Sequence, residues 1–361
     1  MALIIIFLPE KLAMRLALTI IRSRINRSCY SKIFKNTVLM EETINEMTIP
    51  VFYSISDDFT PYAAVSLNSL AKFVNPDRDY TVTFLHQGLS KEHEATLKAY
   101  EKANLHVEFY EMDDKMLAPI QDRKENFLRG DFFTMSIFYR LFIPDLFPQY
   151  DKAVYIDSDT VLNDDIAKLY ETDLGDNLLG ASNDTSIQFV EKMVRYIKEV
   201  LTLDTKKYIN SGMLVMNAKA FREEKFLDKF FYLLGKYHFD CIAPDQDYLN
   251  EICSGRIKYV DPKWDAMPND NTPENPHPSL IHYNLFFKPW HFSGIQYEDY
   301  FWKNAKETVF YDQLQAELQN TSDDQRDVEL HKLDRMLEKL DTTLLDPHNW
   351  ARVKEAEKVT L

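Results

Sequence analysis

Residues 154–162 have the sequence VYIDSDTVL, in which a β-branched and aromatic run ends at two carboxylates, Asp157 and Asp159. Alternate residues of an extended segment point to the same side, so both carboxylates can face one cation. Hard oxygen ligands suit Mg²⁺ or Mn²⁺, which usually keep other coordination positions for water and substrate phosphates. The stretch therefore predicts a metal site at the end of a buried strand. A strand-end turn is the alternative, because Asp and Ser are frequent in turns.

The surrounding sequence alternates short β-rich runs with longer amphipathic runs, which is typical of a mostly parallel sheet flanked by helices. Besides the strand before Asp157, the predicted elements are strands at 50–55, 80–85, 107–110, 178–181 and 213–216 and helices at 61–74, 91–103 and 134–142. In open α/β sheets, ligands bind at the carboxyl ends of the strands. Because Asp57 and Asp157 both follow such ends, we predict an α/β fold with its ligand site at that edge of the sheet.

The composition indicates a globular, acidic protein. Its 361 residues are 45% hydrophobic and 13% aromatic, which is enough to bury a full core. The net charge of −15 argues against a nucleic-acid partner, because phosphate binding normally needs a basic face. With 8 glycines and neither a GxGxxG nor a P-loop motif, dinucleotide and P-loop chemistry are poorly supported. Cys29, Cys241 and Cys253 form no CxxC pair, which favours a reducing cytoplasm.

The first 39 residues differ in charge from the rest of the chain. Residues 1–39 carry seven Lys and Arg residues and a single acid. Their apolar runs are interrupted by charges and are too short to span a bilayer. We interpret residues 1–46 as a basic N-terminal extension upstream of a native start at Met40 or Met47. An amphipathic segment resting on an anionic membrane and a degenerate targeting peptide are the alternatives.

Residues 301–361 are strongly charged and helical in period. A narrow apolar stripe in this segment is formed by Leu330, Leu333, Leu337 and Leu340. Such a stripe can dock on the body of the protein, on a partner or on a membrane. The sequence therefore predicts three parts, with a main domain at 47–300 between the basic extension and a helical C-terminal extension.

Four motifs follow one another along the main domain. They are IDSDT at 156–160, YINSGMLVMN at 208–217, PDQDYLN at 244–250 and IHYNLFFKPWH at 281–291. In this order they resemble glycosyltransferase family 8, in particular galactosyl- and glucosyltransferases of the bacterial lipopolysaccharide type. The resemblance implies a retaining enzyme with the GT-A fold, whose catalytic domain would be residues 47–300. Several separated motifs in the expected order are more specific than any one of them.

The resemblance also implies a metal site. Asp157 and Asp159 would bind Mn²⁺ together with His282, and a neutral imidazole beside two carboxylates suits Mn²⁺ better than the alternative, Mg²⁺. Lys288 would contact the donor diphosphate, where its charge offsets the negative charge on the leaving UDP. Taken singly, His282 and Lys288 are ordinary structural or surface residues, and the flanking motif is what assigns these roles.

The remaining implied site residues surround the donor and the reaction centre. The donor-binding residues would be Asp57, Arg140, Asp157, Ser158, Asp159, Asp184, Asn210 and Lys288. The catalytic residues would be Gln246 and Asp245. Asp57 is alternatively a helix-start carboxylate, and Arg140 alternatively forms a structural ion pair. Since the Gln246 amide is neutral and weakly basic, we expect it to position the substrates while the acceptor attacks on the face that the leaving group departs from.

The implied partners are a UDP-sugar donor and a glycan, glycolipid or glycoprotein acceptor, in the synthesis of cell-envelope glycans. The expected location is the cytoplasm, with peripheral contact at the inner face of the membrane as a further alternative. No oligomeric state follows from the sequence.

Two other functions compete with this interpretation. IDSDTVL also fits the start of a haloacid-dehalogenase-type phosphatase, in which the first Asp is the nucleophile. That motif normally lies near the start of its domain, whereas three predicted strands precede it here, and no downstream GDxxxD motif occurs. A sugar-nucleotide-binding protein with low turnover is the other alternative, because sequence does not measure a rate.

Overall fold

A computed structural model describes residues 48–121, 135–239, 241–285 and 287–359, which lie in one compact unit, Thr48–Leu361. The strands in these residues are β1 (Thr48–Ile55), β2 (Asp79–His86), β3 (Leu105–Glu111), β4 (Ala153–Ile156), β5 (Thr160–Leu162), β6 (Leu179–Asn183), β7 (Ile209–Met216), β8 (Ile257–Tyr259) and β9 (Leu280–His282). The helices up to β8 are α1 (Thr60–Phe73), α2 (Lys91–Lys98), α3 (Asp114–Gln121), α4 (Ser136–Tyr139), α5 (Ile143–Leu146), α6 (Ile166–Tyr170), α7 (Glu191–Glu199), α8 (Ala218–Glu223), α9 (Phe226–Tyr237) and α10 (Pro244–Ile252). Those that follow β9 are α11 (Glu298–Ala305), α12 (Tyr311–Asn320), α13 (Asp323–Leu345) and α14 (Trp350–Glu357). Short 3₁₀ turns occur at Asp57–Phe59, Arg140–Phe142 and Pro262–Asp265.

Seven of the strands form a mixed sheet with the order β3-β2-β1-β4-β7-β6-β8. β1 pairs in parallel with both β2 and β4, whereas β7 runs antiparallel to β4 and β6. The carboxyl ends of β1 and β4 and the amino end of β7 therefore lie at one edge of the sheet. β5 and β9 form a separate antiparallel pair.

Both faces of the sheet are buried, which explains the near-continuous apolar runs of its central strands. Phe52, Tyr155 and Leu214 belong to the core on one face. Val51 and Val154 belong to the core on the other face. Successive residues of a strand point to opposite faces, so each central strand contributes to both cores.

The predicted strands are all present, and two helical segments differ from expectation. α2 ends at Lys98 rather than at residue 103, because the N–H groups of Tyr100 and Glu101 bond three residues back and close a turn. Pro144 lies in the first turn of α5 instead of ending the preceding helix, a position where its missing N–H costs nothing. The predicted basic extension at 1–46, with Cys29, lies outside the described residues.

The C-terminal helices pack on the body of the protein. Met336, Leu340 and Trp350 are buried in the same core as Phe52, and Leu337 packs against it. Part of the predicted apolar stripe thus docks on the protein itself. In the part of the chain that the structure describes, no helix is both long enough and apolar enough to cross a membrane.

Trp350 is the main apolar contact of α14. Its ring stacks on Phe239 with the centroids 3.7 Å apart, and its side chain is fully buried. We expect Trp350→Ala to lower the free energy of unfolding by about 3–5 kcal/mol, because it empties a large buried volume. Leu345→Ala is the control, since Leu345 is 75% exposed on α13. Urea unfolding of both variants measures the difference, and equal stabilities would contradict the docking.

Glu251 of α10 is buried and accepts hydrogen bonds from the Lys354 ammonium of α14. Burial raises the pKa of Glu251 from 4.5 to about 7, although Lys354 opposes the rise. The folded protein thus binds this proton more tightly than the unfolded chain does. The stability that Glu251 contributes is therefore fully present below pH 4.5 and is lost as the pH rises to about 7.

We therefore expect the free energy of unfolding of the wild type to fall by about 3 kcal/mol relative to Glu251→Gln across that pH range. Denaturant unfolding of both proteins at a series of pH values measures this difference. Parallel pH profiles for the two proteins would contradict the assignment.

Candidate active site

Three predicted metal ligands converge where β4 ends. Asp157 follows β4, and the Thr160↔His282 pair in the β5–β9 ladder places His282 beside Asp159. Ligand atoms of Asp157, Asp159 and His282 all lie within 4.8 Å of one another. His282 Nε2 is 3.3 Å from Asp159 Oδ1 and 3.7 Å from Asp157 Oδ2. The fold therefore brings together side chains that are separated in the chain by nearly half of the main domain.

In each of the two carboxylates, one oxygen accepts hydrogen bonds from neighbouring side chains and the other oxygen faces His282. Asp157 Oδ1 accepts from Tyr155 Oη at 2.6 Å and from Arg140 at 2.9 Å, which leaves Oδ2 facing the imidazole. Asp159 Oδ2 accepts from the Lys288 ammonium. Asp159 Oδ1 is buried and faces His282 Nε2 at 3.3 Å, but within the described residues it accepts no hydrogen bond of good geometry. This arrangement leaves two carboxylate oxygens and one ring nitrogen directed at a common point.

The local charges fit a cation at that point. Burial opposes protonation of His282, but Asp159 and Asp265 outweigh it and raise the pKa of His282 to about 10. Burial likewise opposes ionisation of Asp159, but the positive charges of Lys288 and His282 lower the pKa of Asp159 below its usual range. The donor set of two carboxylates and one imidazole is one that divalent Mn²⁺ accepts. The carboxylates therefore favour a positive charge at this point, and a divalent cation fits there when it replaces the proton on His282 Nε2.

Gly212 on β7 leaves the space that this cluster needs. A Cβ atom at this position would lie 2.7 Å from Asp157 Oδ2 and 2.8 Å from His282 Nδ1, and closer still to His282 Cε1. Any side chain at Gly212 would thus displace two of the three candidate ligands. The motif YINSGMLVMN contains this glycine, but its role depends on contacts with distant residues.

Arg140 contacts both a candidate metal ligand and a predicted catalytic residue. Its guanidinium donates to Asp157 at 2.9 Å, to Ser211 Oγ at 3.1 Å and lies 3.4 Å from Asp245 Oδ2. Burial disfavours its charged form, but Asp157 and Asp245 outweigh this effect and raise the pKa of Arg140. The structure thus places Arg140 in the structural ion pairs that the sequence left as an alternative, and its contact with a donor stays a prediction.

Gln246 and Asp245 lie in the first turn of α10, against the start of β7. Gln246 Oε1 accepts from the Ser211 N–H at 3.0 Å, and its Nε2 donates to Asp184 Oδ2 at 3.1 Å. Asn210 Nδ2 also donates to Asp184 Oδ2, at 3.2 Å. Asp245 Oδ2 accepts from Ser211 Oγ at 2.9 Å. The structure therefore joins the predicted residues Asp184, Asn210, Asp245 and Gln246 into one hydrogen-bonded cluster.

Asp247, in the same turn of α10, has a structural environment. Its carboxylate is fully buried and accepts from the hydroxyls of Tyr196 and Tyr208 and from the N–H groups of Ile242 and Ala243. Four hydrogen bonds satisfy a buried carboxylate and hold the first turn of α10 in place. Asp247 therefore supports its neighbours Asp245 and Gln246.

Asp57 and Ser158 complete the predicted donor-binding set. Asp57 Oδ1 accepts from the Ser90 N–H at 2.8 Å and lies 2.8 Å from His93 Nδ1, and the Ser90 hydrogen bond lowers the pKa of Asp57. Asp57 thus lies at the predicted sheet edge and is bound to the start of α2. Ser158, which lies between Asp157 and Asp159 in the sequence, is buried.

Sequence reasoning missed Ser211, Gly212 and Asp265. The first two lie inside the recognised motif YINSGMLVMN, so that motif was a signal for them. Asp265 lies in no recognised motif, yet its Oδ1 is 3.1 Å from His282 Nδ1. Only the folded structure shows this contact.

Comparison with known proteins agrees with the geometry. Residues 50–294 match the model of the family described as glycosyl transferase family 8. The chain belongs to this family.

Two relatives have names that describe them as glycosyltransferases. Lipopolysaccharide 1,2-glucosyltransferase of Escherichia coli is 24% identical over 283 residues, which cover 70% of this chain and 77% of that protein. A Haemophilus influenzae protein whose name places it among the glycosyltransferases is 26% identical over 224 residues, or 62% of this chain. The matched part spans 64% of the length of the Haemophilus protein.

The fold is also found in a solved galactosyltransferase structure. The structure of galactosyltransferase LgtC with donor and acceptor sugar analogues matches with a TM-score of 0.61 and 23% identity, covering 72% of this chain and 96% of LgtC. This likeness shows the GT-A fold, in agreement with the mixed sheet and its flanking helices.

The close packing around Gly212 leads to a prediction about cation binding by Asp157, Asp159 and His282. We expect Gly212→Ala to weaken divalent-cation binding by about 10-fold or more, because the methyl group displaces His282 and Asp157. Gly235→Ala is the matched control, since a Cβ at Gly235 of α9 meets nothing within 4 Å. Calorimetric titration with Mn²⁺ measures the affinity. Equal affinities in the two variants would show that the cation binds elsewhere.

Proposed function

We propose that this family 8 protein transfers a hexose from a UDP-sugar to a hydroxyl group of an acceptor, with retention at the anomeric carbon and dependence on Mn²⁺. The observation that carries the proposal is the joining of the Asp157–Asp159–His282 cluster, through buried Arg140, to the cluster around Gln246. A candidate cation site joined to a buried polar cluster at the same end of the sheet strands supports transfer from a sugar nucleotide.

Asp157, Asp159 and His282 would hold the cation. When bound, Mn²⁺ would act as a Lewis acid that neutralises the diphosphate of the donor. The Lys288 ammonium, which contacts Asp159, adds a second positive charge beside the position of the leaving group. Its charge stabilises the negative charge that develops on departing UDP.

Asp184, Asn210 and Gln246 would bind the transferred sugar. Their amides and carboxylate already hold one another in fixed orientations, so little reorganisation is needed when the sugar hydroxyls arrive. Asp57, Arg140 and Ser158 complete the proposed set, with Asp57 at the nucleotide end and Arg140 acting mainly by fixing Asp157 and Asp245.

The chemical step that fits these residues is attack by the acceptor on the face that UDP leaves. The bond from the anomeric carbon to the diphosphate oxygen breaks with its electron pair on UDP, a bond to the acceptor oxygen forms, and the hydroxyl proton passes to the departing phosphate. Gln246 is neutral and hydrogen-bonded at both ends, and Asp245 pairs with Arg140 and Ser211. These partners favour a positioning role over covalent attack on the sugar. Detection of a glycosylated Asp245 or Gln246 by mass spectrometry would overturn this mechanism.

The proposed acceptor is a glycan, glycolipid or glycoprotein of the cell envelope. The name of the Escherichia coli relative, lipopolysaccharide 1,2-glucosyltransferase, supports this class. We further propose that residues 47–300 are the catalytic domain, in line with the family match at 50–294, and that residues 301–361 are an extension docked on it.

Release of UDP from a panel of UDP-sugars, with Mn²⁺ or with EDTA, tests the proposal. We expect release from one preferred donor that requires Mn²⁺, and a loss of roughly 100-fold or more in Asp159→Asn, because a charged metal ligand is removed. Asp151→Asn is the control, since the Asp151 side chain is 74% exposed and pairs with Arg222 away from the site. It should keep full activity.

Other outcomes would favour the competing functions. If no UDP-sugar releases UDP, and phosphomonoesters release phosphate in a Mg²⁺-dependent reaction, the phosphatase would be favoured. Tight binding of a UDP-sugar without UDP release would favour a sugar-nucleotide-binding protein.

A further inference from the structure

Asp265 is a buried carboxylate next to His282, on the side of the ring opposite to Asp157 and Asp159. Its side chain is 0% exposed, and Oδ1 lies 3.1 Å from His282 Nδ1. Its second oxygen, Oδ2, is buried and forms no hydrogen bond with any residue in the described ranges. A buried carboxylate is costly unless it is paired with a positive or proton-donating group. His282 is the group that pairs with it here.

The backbone fixes the position of Asp265 relative to His282. The Ala266 N–H donates to Leu280 O, and the His282 N–H donates to Ala266 O, both at 2.9 Å. These two bonds attach the end of the Pro262–Asp265 turn to β9. The contact between the two side chains is therefore set by the same backbone pairing that holds β9 in place.

The two ring nitrogens of His282 have separate partners. Nε2 faces Asp159 Oδ1 and Asp157 Oδ2, whereas Nδ1 faces Asp265. When Nδ1 donates its hydrogen to Asp265, the lone pair of Nε2 is free to bind a cation. The negative charge of Asp265 also makes the ring a stronger electron donor.

We propose that Asp265 is a positioning residue for the metal ligand His282. It holds the ring with Nε2 toward Asp157 and Asp159, selects the tautomer that can bind a cation, and strengthens binding through its charge. This inference rests on the proposed metal dependence, and it goes beyond it by assigning a role to a residue that would not itself touch the metal.

The test is the affinity of the purified protein for Mn²⁺ alone, measured from the electron paramagnetic resonance signal of free Mn²⁺. Asp265→Asn keeps the side-chain volume and removes the charge, and Asp265→Ala also removes the acceptor for Nδ1. We expect 10- to 100-fold weaker binding in Asp265→Asn, as is typical for partners of metal-bound histidines, and at least as large a loss in Asp265→Ala.

Asp261→Asn is the matched control. Asp261 precedes the same 3₁₀ turn, is exposed, and accepts from the Lys263 N–H, which an Asn side chain can also do. We expect this variant to bind Mn²⁺ like the wild type.

A second measurement separates positioning from a purely structural role. With the preferred donor, Asp265→Asn should need a 10- to 100-fold higher Mn²⁺ concentration for half-maximal UDP release and should recover most of kcat at saturation. Thermal unfolding in EDTA reports on folding without metal.

The outcomes distinguish this inference from the proposed function. Mn²⁺ affinities of Asp265→Asn and Asp265→Ala within twofold of the wild type would overturn the role of Asp265 and leave the transferase proposal standing. Failure of both variants to fold would also overturn it, because Asp265 would then serve stability. Donor turnover in EDTA without Mn²⁺ binding by the wild type would overturn the metal dependence itself.

Discussion

The buried guanidinium of Arg140 is the interaction on which the arrangement of the site depends. It contacts Asp157 after β4, Ser211 on β7 and Asp245 on α10, and lies 4.3 Å from the centre of the Tyr155 ring. Carboxylates crowded in a low-dielectric region repel one another unless a positive charge is shared among them. One planar cation with several fixed N–H groups can bind such carboxylates at defined angles. One side chain therefore bridges three elements, two of which are already paired through the β4–β7 ladder.

The three candidate metal ligands are divided between the main sheet and a short strand pair. Asp157 follows the central strand β4, whereas Asp159 and His282 are held by the pairing of β5 with β9. Tyr155 and Lys288 each occupy the oxygen that faces away from the shared point. Because the remaining oxygens are already oriented, binding of a cation would need little rearrangement.

Helix α10 is supported along its whole length, and the C-terminal helices provide part of that support. Asp247 fixes its first turn, and Asn250 bonds both the N–H and the C=O of Ile209 on β7. Further along, Trp350 packs against Tyr248, and Lys354 pairs with Glu251. Helix α14, near the C-terminus, thus stiffens the helix that carries Gln246. Packing of this kind keeps reactive groups within the narrow geometry that a transfer reaction needs.

From the sequence alone, most strands of the main sheet and the family could be predicted, and a ligand site was expected at the carboxyl ends of β1 and β4. Those features are local, because β-rich runs, helix starts and the motifs around Asp157, Gln246 and His282 are each contained in a few consecutive residues. Only the tertiary structure shows the contacts of Arg140, Gly212 and Asp265. Arg140 contacts Ser211 across 71 residues, and Lys288 contacts Asp159 across 129 residues. Charge pairing, the space beside a glycine and the orientation of an imidazole depend on distances between residues remote in the chain, and only folding sets those distances.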